Sequence, residues 1–483
     1  MLAAMPTATN PPPRDEPPIP VRSDACPGTL RLHMADDGAL ARVRVPGGVL
    51  TAPQAAALAD AAVRLGDGAL HLTSRGNVQL RGLDGDCGAA LAGLLDAAGL
   101  LPSYRHERVR NVVASPLSGL DGAGHADVRP WLRALDGLLC ASEAATALSG
   151  RFLFALDDGR GDMAALGADV TLIASGGDAL LHVGAADGAL RVRGADAPRG
   201  ALCAAEVFLE AAAEIGSRTW RVRDLPDGAG PLVRTTARRL ETAGIPCTYV
   251  ASASLPTEAA PAPGIVDGPV GHRALSVLAP LGTLTADQWR LLADAARADG
   301  AGEVRLTPWR GVVVPGLDGP TADARLRDLA AAGLITDAAS PWHGVGACIG
   351  RPGCAKSLAD VRADAATALG TGGGLPVYWS GCARRCGHPQ GHWVDVVATP
   401  EGYEVDGYRV AAREVALRTV VSDAADMNVS SGVSDVPDLG DAPVLSDAPV
   451  PPDAPGTSDV PDLAVAVAAA RTTTATTATT ATR

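Results

Sequence analysis

The stretch TAPQAAALADAAVRLGDGALHLTSRGNVQLRGLDG, beginning at Thr51, returns as TADQWRLLADAARADGAGEVRLTPWRGVVVPGLDG, beginning at Thr285, at an offset of 234 residues. Leu-Ala-Asp-Ala-Ala recurs at 58–62 and 292–296, Gly-Leu-Asp-Gly at 82–85 and 316–319, and Pro46 and Pro280 keep the same offset. Aligning Arg75 with Arg310 calls for one inserted and one deleted residue around them. A chain duplicated over this length must fold two like units and pack them together. Each copy opens with a strand (Ala41–Val45; Leu275–Ala279). A helix follows behind a capping box, Thr51 with Gln54 and Thr285 with Gln288, in which side chains satisfy the first free amides. An alternating strand comes next (Ala69–Thr73; Glu303–Thr307), then an Arg-Gly turn. A further strand (Asn77–Gly82; Val312–Gly316) and a helix (Cys87–Ala98; Ala322–Ala332) complete the unit. This β-α-β-β-α order predicts a split βαβ, ferredoxin-like half.

The chain has 483 residues, and a single core rarely grows past about 250–300 residues. The expected organisation is α+β: half domains at 26–104 and 268–336, each followed by an α/β domain, at 105–255 and 337–415. The duplication extends more weakly into the α/β segments. Arg-Asn-Val-Val-Ala-Ser-Pro at 110–116 and Gly-Arg-Phe-Leu-Phe-Ala-Leu-Asp at 150–157 stand where the second copy has its two cysteine pairs. The ends, 1–25 and 416–483, are low in complexity. The tail repeats Ser-Asp-Val-Pro-Asp-Leu and Asp-Ala-Pro-Val and finishes in Thr and Ala. Such sequence buries too little to offset chain entropy, so disordered termini are expected. Leu463–Ala470 is a short candidate helix within that tail.

Hydrophobic residues make up 47% of the chain but aromatics only 3%, so Leu, Val and Ala must fill the cores. The net charge of −13 argues against nucleic-acid binding, which needs a basic surface. An anionic substrate would need a local cluster of cations, and those must be arginines because Lys356 is the only lysine. No apolar run reaches the roughly 18 residues of a membrane span, and the proline-rich opening has no signal-type apolar core. A cytoplasmic protein with no membrane partner is expected. Its nine cysteines then suggest thiols or metal ligands rather than disulfides.

Four cysteines form a pattern. Cys348 and Cys354 lie in GACIGRPGCAKSLADV, Cys382 and Cys386 in YWSGCARRCGHP, giving C-x5-C, a gap of 27 residues, and C-x3-C. Thiolates are soft ligands suited to iron–sulfur clusters and zinc. Structural zinc favours C-x2–4-C knuckles, so the x5 spacing points to a 4Fe–4S cluster. The plainer alternatives are a zinc site or four buried thiols. Gly346, Gly353, Gly381 and Gly387 flank the pattern, small enough to let backbone amides approach cluster sulfur. Cys26, Cys87, Cys140, Cys203 and Cys247 stand apart and are expected to be small buried hydrophobes.

Arginines form the other pattern. Alternation in LTSRGNVQLRGL puts Arg75, Asn77, Gln79 and Arg81 on one strand face. That face is either a solvated edge or an anion-binding wall, since guanidinium pairs with carboxylate through two hydrogen bonds. Arg110 and Arg151 are candidates to extend it. His343, His388 and His392 lie near the cysteines and are expected to pack or hydrogen-bond rather than ligate a metal.

Taken together, the duplicated halves, LTSRGNVQLRG, RNVVASP and the cysteine pattern resemble the sulfite/nitrite reductase superfamily over roughly residues 28–415. The resemblance implies two ferredoxin-like halves and two α/β domains related by a pseudo-two-fold axis. It implies a 4Fe–4S cluster on Cys348, Cys354, Cys382 and Cys386. In sirohaem-dependent members the last cysteine, here Cys386, also bridges to the sirohaem iron, and arginines matching Arg75 and Arg110 bind anion or tetrapyrrole carboxylates. Those enzymes carry a basic pair where this chain has Arg151 and Leu153, so one cation is absent.

Within the superfamily, CPGTLRLHMADDGALARVRVPGG and GCARRCGHP most resemble the precorrin-3B synthase family of aerobic cobalamin biosynthesis. That resemblance implies a monooxygenase that hydroxylates precorrin-3A at C-20 with O2 and forms a lactone. It also implies a mononuclear non-haem iron beside the cluster, and electrons from NADH or a reductase or ferredoxin. The residues that activate oxygen are not located by the sequence. The alternatives are a sirohaem-dependent sulfite or nitrite reductase and a non-catalytic cluster carrier.

Overall fold

The computed structural model describes residues 26–215, 219–251, 260–370, 374–389, 391–406, 408–411 and 463–471. The expectations for residues 1–25, and for the tail apart from 463–471, lie outside the described residues. The fold is α+β, built on four sheets.

In the first half, strand Gly38–Val43 pairs with Val78–Leu83, which pairs with Ala69–Leu72. In the second, Arg273–Leu278 pairs with Gly311–Leu317, and that with Glu303–Leu306. The helices Ala52–Leu65 and Ala286–Ala298 both start at the expected capping boxes, with Thr51 and Thr285 accepting from the amides of Gln54 and Gln288. The offset of 234 never breaks. The turn bond Gly76 N–H to Thr73 O recurs as Arg310 N–H to Thr307 O. Gly76 and Arg310 share the left-handed conformation at φ 63° and 60°. The expected insertion and deletion are therefore absent: Arg310 matches Gly76, and Trp309 stands where the first copy has Arg75.

Each half lends a strand to the other. Val49–Thr51 of the first copy pairs with Glu303–Leu306 of the second, Leu50 opposite Val304. Thr283–Thr285 of the second pairs with Ala69–Leu72 of the first, Leu284 opposite Leu70. Gly48 makes the crossing possible: with φ at 72°, its α-carbon lies so near Leu306 that an added Cβ would stand 2.0 Å from the Leu306 carbonyl oxygen. The helices also meet, and the buried Trp289 donates from Nε1 to Ala55 O at 2.7 Å. One apolar core runs through both halves.

The two α/β segments repeat one topology. Val112–Ala114, Phe154–Asp157 and Val170–Ser175 pair in parallel, then Asp178–Val183 and Ala189–Arg193 antiparallel. Val345–Ala347, Val377–Ser380 and Val394–Thr399 pair in parallel, then Gly402–Val405 and Tyr408–Ala411 antiparallel. The weak sequence repeat in these segments thus reflects one fold used twice. Residues 463–471 are helical and packed on the second segment, which corrects the expectation of disorder for that part of the tail. No helix among the described residues is long and apolar enough to cross a membrane.

Truncating a large buried aromatic costs about 3–5 kcal/mol. Trp289→Ala should lose that much stability in urea unfolding, since it removes both the ring and the bond between the halves.

Candidate iron–sulfur and anion site

The four patterned cysteines converge. Cys348 leaves strand Val345–Ala347, donating its amide to Trp379 O at 2.9 Å, and its Sγ accepts from Gly381 N–H at 3.2 Å. Burial pushes the Cys386 thiol up; Arg384 opposes that, and nearby Cys382, Cys348 and Cys354 reinforce it. All four therefore share one neighbourhood. Among the described residues no three of these sulfurs lie within 4.8 Å of one another. Tetrahedral zinc with bonds of about 2.3 Å would need sulfurs about 3.8 Å apart. The wider spread, the four thiol donors and the amide already aimed at Cys348 Sγ fit a cubane cluster better. Gly381 brings its amide to cysteine sulfur as expected, and the glycines have a second use. A Cβ at Gly381 would stand 1.9 Å from Ser357 Oγ, and one at Gly346 2.8 Å from the Tyr378 ring. They admit side chains that pack behind the cysteine loops.

The first half supports this centre directly. Arg81 grips Asp37 with two bonds of 2.7 Å and donates to Gly353 O, beside Cys354, at 2.9 Å. Asp36 accepts from the Ala355 amide. From the second half, Arg310 donates to Gly387 O at 2.8 Å and stacks near Tyr378, whose hydroxyl donates to Cys386 O at 2.7 Å. His388 stacks on Trp393 at 4.8 Å, a packing role as expected. The main chain of His343 accepts a bond from Arg471.

The six candidate anion residues separate into two groups. Arg81 is held by Asp37. Arg110 is buried and held by Asp136 through two bonds of 2.7 Å. Asn77 is buried, accepting from Val45 N–H and donating to Asn111. These three are framework, which corrects the single-wall reading: a guanidinium saturated by carboxylate has little left for a ligand. Gln79 accepts from Arg42 at 3.3 Å. Arg151 is exposed, 4.3 Å over the Trp220 ring.

Arg75 is the exception. It sits in the turn before Val78–Leu83 rather than on the strand, and no carboxylate pairs with it among the described residues. Burial pushes it down to about 10, assisted by Arg221, Arg44 and Arg42 and opposed by Cys26. It stays charged at neutral pH, in a pocket of like charge. Arg44 donates to Cys26 Sγ at 3.1 Å and to Gly150 O at 3.2 Å, and its buried Nη1 has no hydrogen-bond partner. Arg221 is paired with Asp169, whereas Arg75 has no carboxylate partner among the described residues and Arg44 keeps a spare donor, which makes this a candidate anion site. The wall continues toward the cysteines. Burial holds His33 down, aided by Arg81, Arg42, Arg31 and Lys356, and Lys356 lies two residues after Cys354. Arg42 and Arg44 were legible as alternating residues in ARVRV, opposite the core-facing Ala41 and Val43. Arg221 and Cys26 gave no local signal.

The nitrite/sulfite reductase ferredoxin-like half-domain family matches twice, over residues 33–98 and 267–332. The chain is 30% identical over 385 residues to a ferredoxin–nitrite reductase of Synechococcus elongatus, covering 73% of this chain and 74% of that one. The chain belongs to the nitrite/sulfite reductase family. It is also 28% identical over 393 residues to a precorrin-3B synthase of Sinorhizobium sp., covering 79% of this chain and 82% of that protein. The Mycobacterium tuberculosis NirA structure shares its fold, with a TM-score of 0.61 at 20% identity over 76% of this chain and 74% of that one. The matched members of this family are enzymes of the oxidoreductase type.

The duplicated family fold gives the cysteine centre a counterpart. Ser115 follows Val112–Ala114 as Cys348 follows Val345–Ala347. Ser115 N–H donates to Leu156 O at 3.0 Å, as Cys348 N–H does to Trp379 O. Ser115 Oγ accepts from Asp158 N–H at 3.1 Å, as Cys348 Sγ does from Gly381. Where one half gathers thiols, the other gathers the buried carboxyls Asp157, Asp158 and Asp162 within 4.8 Å. Asp157 accepts four amides, from Gly159, Gly161, Met163 and Ala164. Asp158 is paired with Arg160 at 2.9 Å. Asp162 accepts from Ser115 at 2.5 Å, but its Oδ2 is buried without a partner. Burial pushes this carboxyl up to about 7, the Ser115 bond opposing and Asp157 and Asp158 adding to it. A proton removes the buried charge, although Oδ2 keeps no hydrogen-bond partner.

That proton sets a pH dependence. The folded state holds it up to about pH 7, whereas the unfolded carboxyl releases it near its ordinary value of about 3.9. Folding stability from this group is therefore full below about pH 4 and lost as pH rises through about 7. Asp162→Asn should flatten this slope and raise the urea midpoint at pH 8 relative to pH 5; equal midpoint changes at both pH values would contradict it.

Proposed function

We propose that this chain is a precorrin-3B synthase-like monooxygenase of aerobic cobalamin biosynthesis, hydroxylating precorrin-3A at C-20 and forming a lactone from a ring acetate. The observation that carries the reading is Arg75, which has no carboxylate partner among the described residues and lies near Arg44, whose buried Nη1 has no hydrogen-bond partner. A precorrin is a polycarboxylate macrocycle. Its rim acids fit Arg75, Arg44 and Arg42, with Gln79 alongside and Arg151 at the exposed margin, while Arg221 is held by Asp169. Arg81, Arg110 and Asn77 hold the wall in place rather than bind substrate. Cys348, Cys354, Cys382 and Cys386 would hold a 4Fe–4S cluster in the second α/β segment, 337–415; when bound, it supplies single electrons. In the reaction class, one oxygen atom of O2 enters the substrate and the other leaves as water. Two electrons and two protons come from NADH or a reductase or ferredoxin donor. A mononuclear non-haem iron belongs to this reading, but its ligands are not assigned.

A sirohaem-dependent nitrite or sulfite reductase is the second reading, favoured by the 30% identity to the Synechococcus elongatus enzyme. Against it, Leu153 stands at a position where sirohaem enzymes carry a cation, and it is buried in an apolar cluster with Val113, Ala155 and Met163.

Aerobic incubation with precorrin-3A and a reductant should yield a product heavier by one oxygen atom in mass spectrometry. Intense sirohaem absorbance in the purified protein, with no such product, would select the reductase. A hydrogen-bonded pair with a charged group is worth about 1.5–3 kcal/mol, so Arg75→Ala should weaken precorrin binding by about 10- to 100-fold. The iron–sulfur absorbance should stay unchanged, and unaltered affinity would remove Arg75 from the site.

A further inference from the structure

Leu463, Val467 and Arg471 lie at i, i+4 and i+8 on the helix 463–471, forming one buried stripe, the spacing of a single helix face. Val465, off that stripe, is exposed. Leu463 and Val467 enter the apolar core of the cysteine-bearing segment, with Val361, Ala365, Val377 and Trp379. Arg471 closes the contact. It is buried, and it bonds main-chain carbonyls: Nε donates to Leu375 O at 2.9 Å and Nη2 to His343 O at 3.4 Å. Leu375 N–H donates back to Arg471 O at 3.4 Å.

Those two carbonyls sit at the entrances to the two strands that deliver the cysteines. His343 precedes Val345–Ala347, which runs into Cys348. Leu375 precedes Val377–Ser380, which runs into Cys382. A single guanidinium therefore spans both entrances. A helix of this length is below the roughly 12–15 residues needed to persist alone in water, so its folding is coupled to its docking. Covalent linkage through residues 412–462 makes the docking intramolecular, which raises its effective concentration.

We propose that helix 463–471 is a built-in clasp: it seats in the groove between Ala365, Val377 and Trp379 and holds the two cysteine-bearing strands in register at their entrances. The groove is thus an interaction surface for a short amphipathic helix ending in arginine, and its occupant is this chain's own tail. The consequence for a cluster rests on the reading of the four cysteines; the bracing itself does not.

The test compares the full chain with a chain ending at residue 462, both metal-free, by hydrogen–deuterium exchange. Residues 343–348 and 375–382 should exchange on the order of tenfold faster without the helix, as expected from losing two or three hydrogen bonds of modest net worth. The distant strand 38–43 should be unchanged. A synthetic 463–471 peptide added in excess should restore protection in those two segments. Should the shortened chain fail to fold, Arg471→Ala in the full chain decides, with a smaller acceleration expected in the same two segments. Unchanged exchange there, or equal acceleration throughout the protein, overturns the clasp. In a separate arm, both chains are reconstituted with iron and sulfide, and the clasp predicts faster loss of cluster absorbance in air from the shortened chain. If neither chain takes up a cluster, the cysteine reading fails while the exchange result still decides the clasp.

Discussion

Everything in this molecule hangs on a reciprocal exchange of short strands. Val49–Thr51 completes the second sheet and Thr283–Thr285 completes the first. Neither half can saturate its own sheet edge, and an open edge exposes unpaired amides and carbonyls. Exchange satisfies both edges and brings the helices Ala52–Leu65 and Ala286–Ala298 together over a shared core. Because the halves are fixed to one another, residues far apart in sequence can meet at fixed distances. Arg81 meeting Gly353 O is one such meeting.

The pseudo-symmetry then allows one backbone plan to carry two chemistries. The strand ends that present Cys348 and Gly381 present Ser115 and Asp158 in the other copy, with matching hydrogen bonds. Thiols at one end suit a soft metal cluster. At the other, Asp157 is held by backbone amides and Asp158 by Arg160, while Asp162 beside them suits a buried proton. Duplication supplied two equivalent positions, and side-chain identity alone separated a thiol site from a carboxyl site.

Charge is arranged against the average. The chain is acidic overall, yet Arg42, Arg44 and Arg221 all act on Arg75. Other arginines are balanced, among them Arg110 by Asp136, Arg81 by Asp37, and Arg160 by Asp121 and Asp158. Arg221 is paired with Asp169, so within this group it is Arg75 that has no carboxylate partner among the described residues, and the proposed anion site rests on it.

The sequence by itself determined the duplication, its capping boxes, the α+β alternation and the cysteine quartet. These are local or periodic signals: a capping box spans four residues, and strand and helix periods show within a dozen. It also pointed to Arg75. Only the tertiary structure separated Arg75 from Arg81 and Arg110. A guanidinium's role depends on whether a carboxylate meets it, and Asp37 and Asp136 arrive from elsewhere in the chain. Alternation tells which face a residue takes but not what packs against that face, so Asn77 read as wall and proved to be framework. The unbroken offset at Arg310, the counterpart centre around Asp162 and the docked helix at 463–471 were likewise decided by packing. Each depends on contacts between segments that the one-dimensional pattern leaves independent.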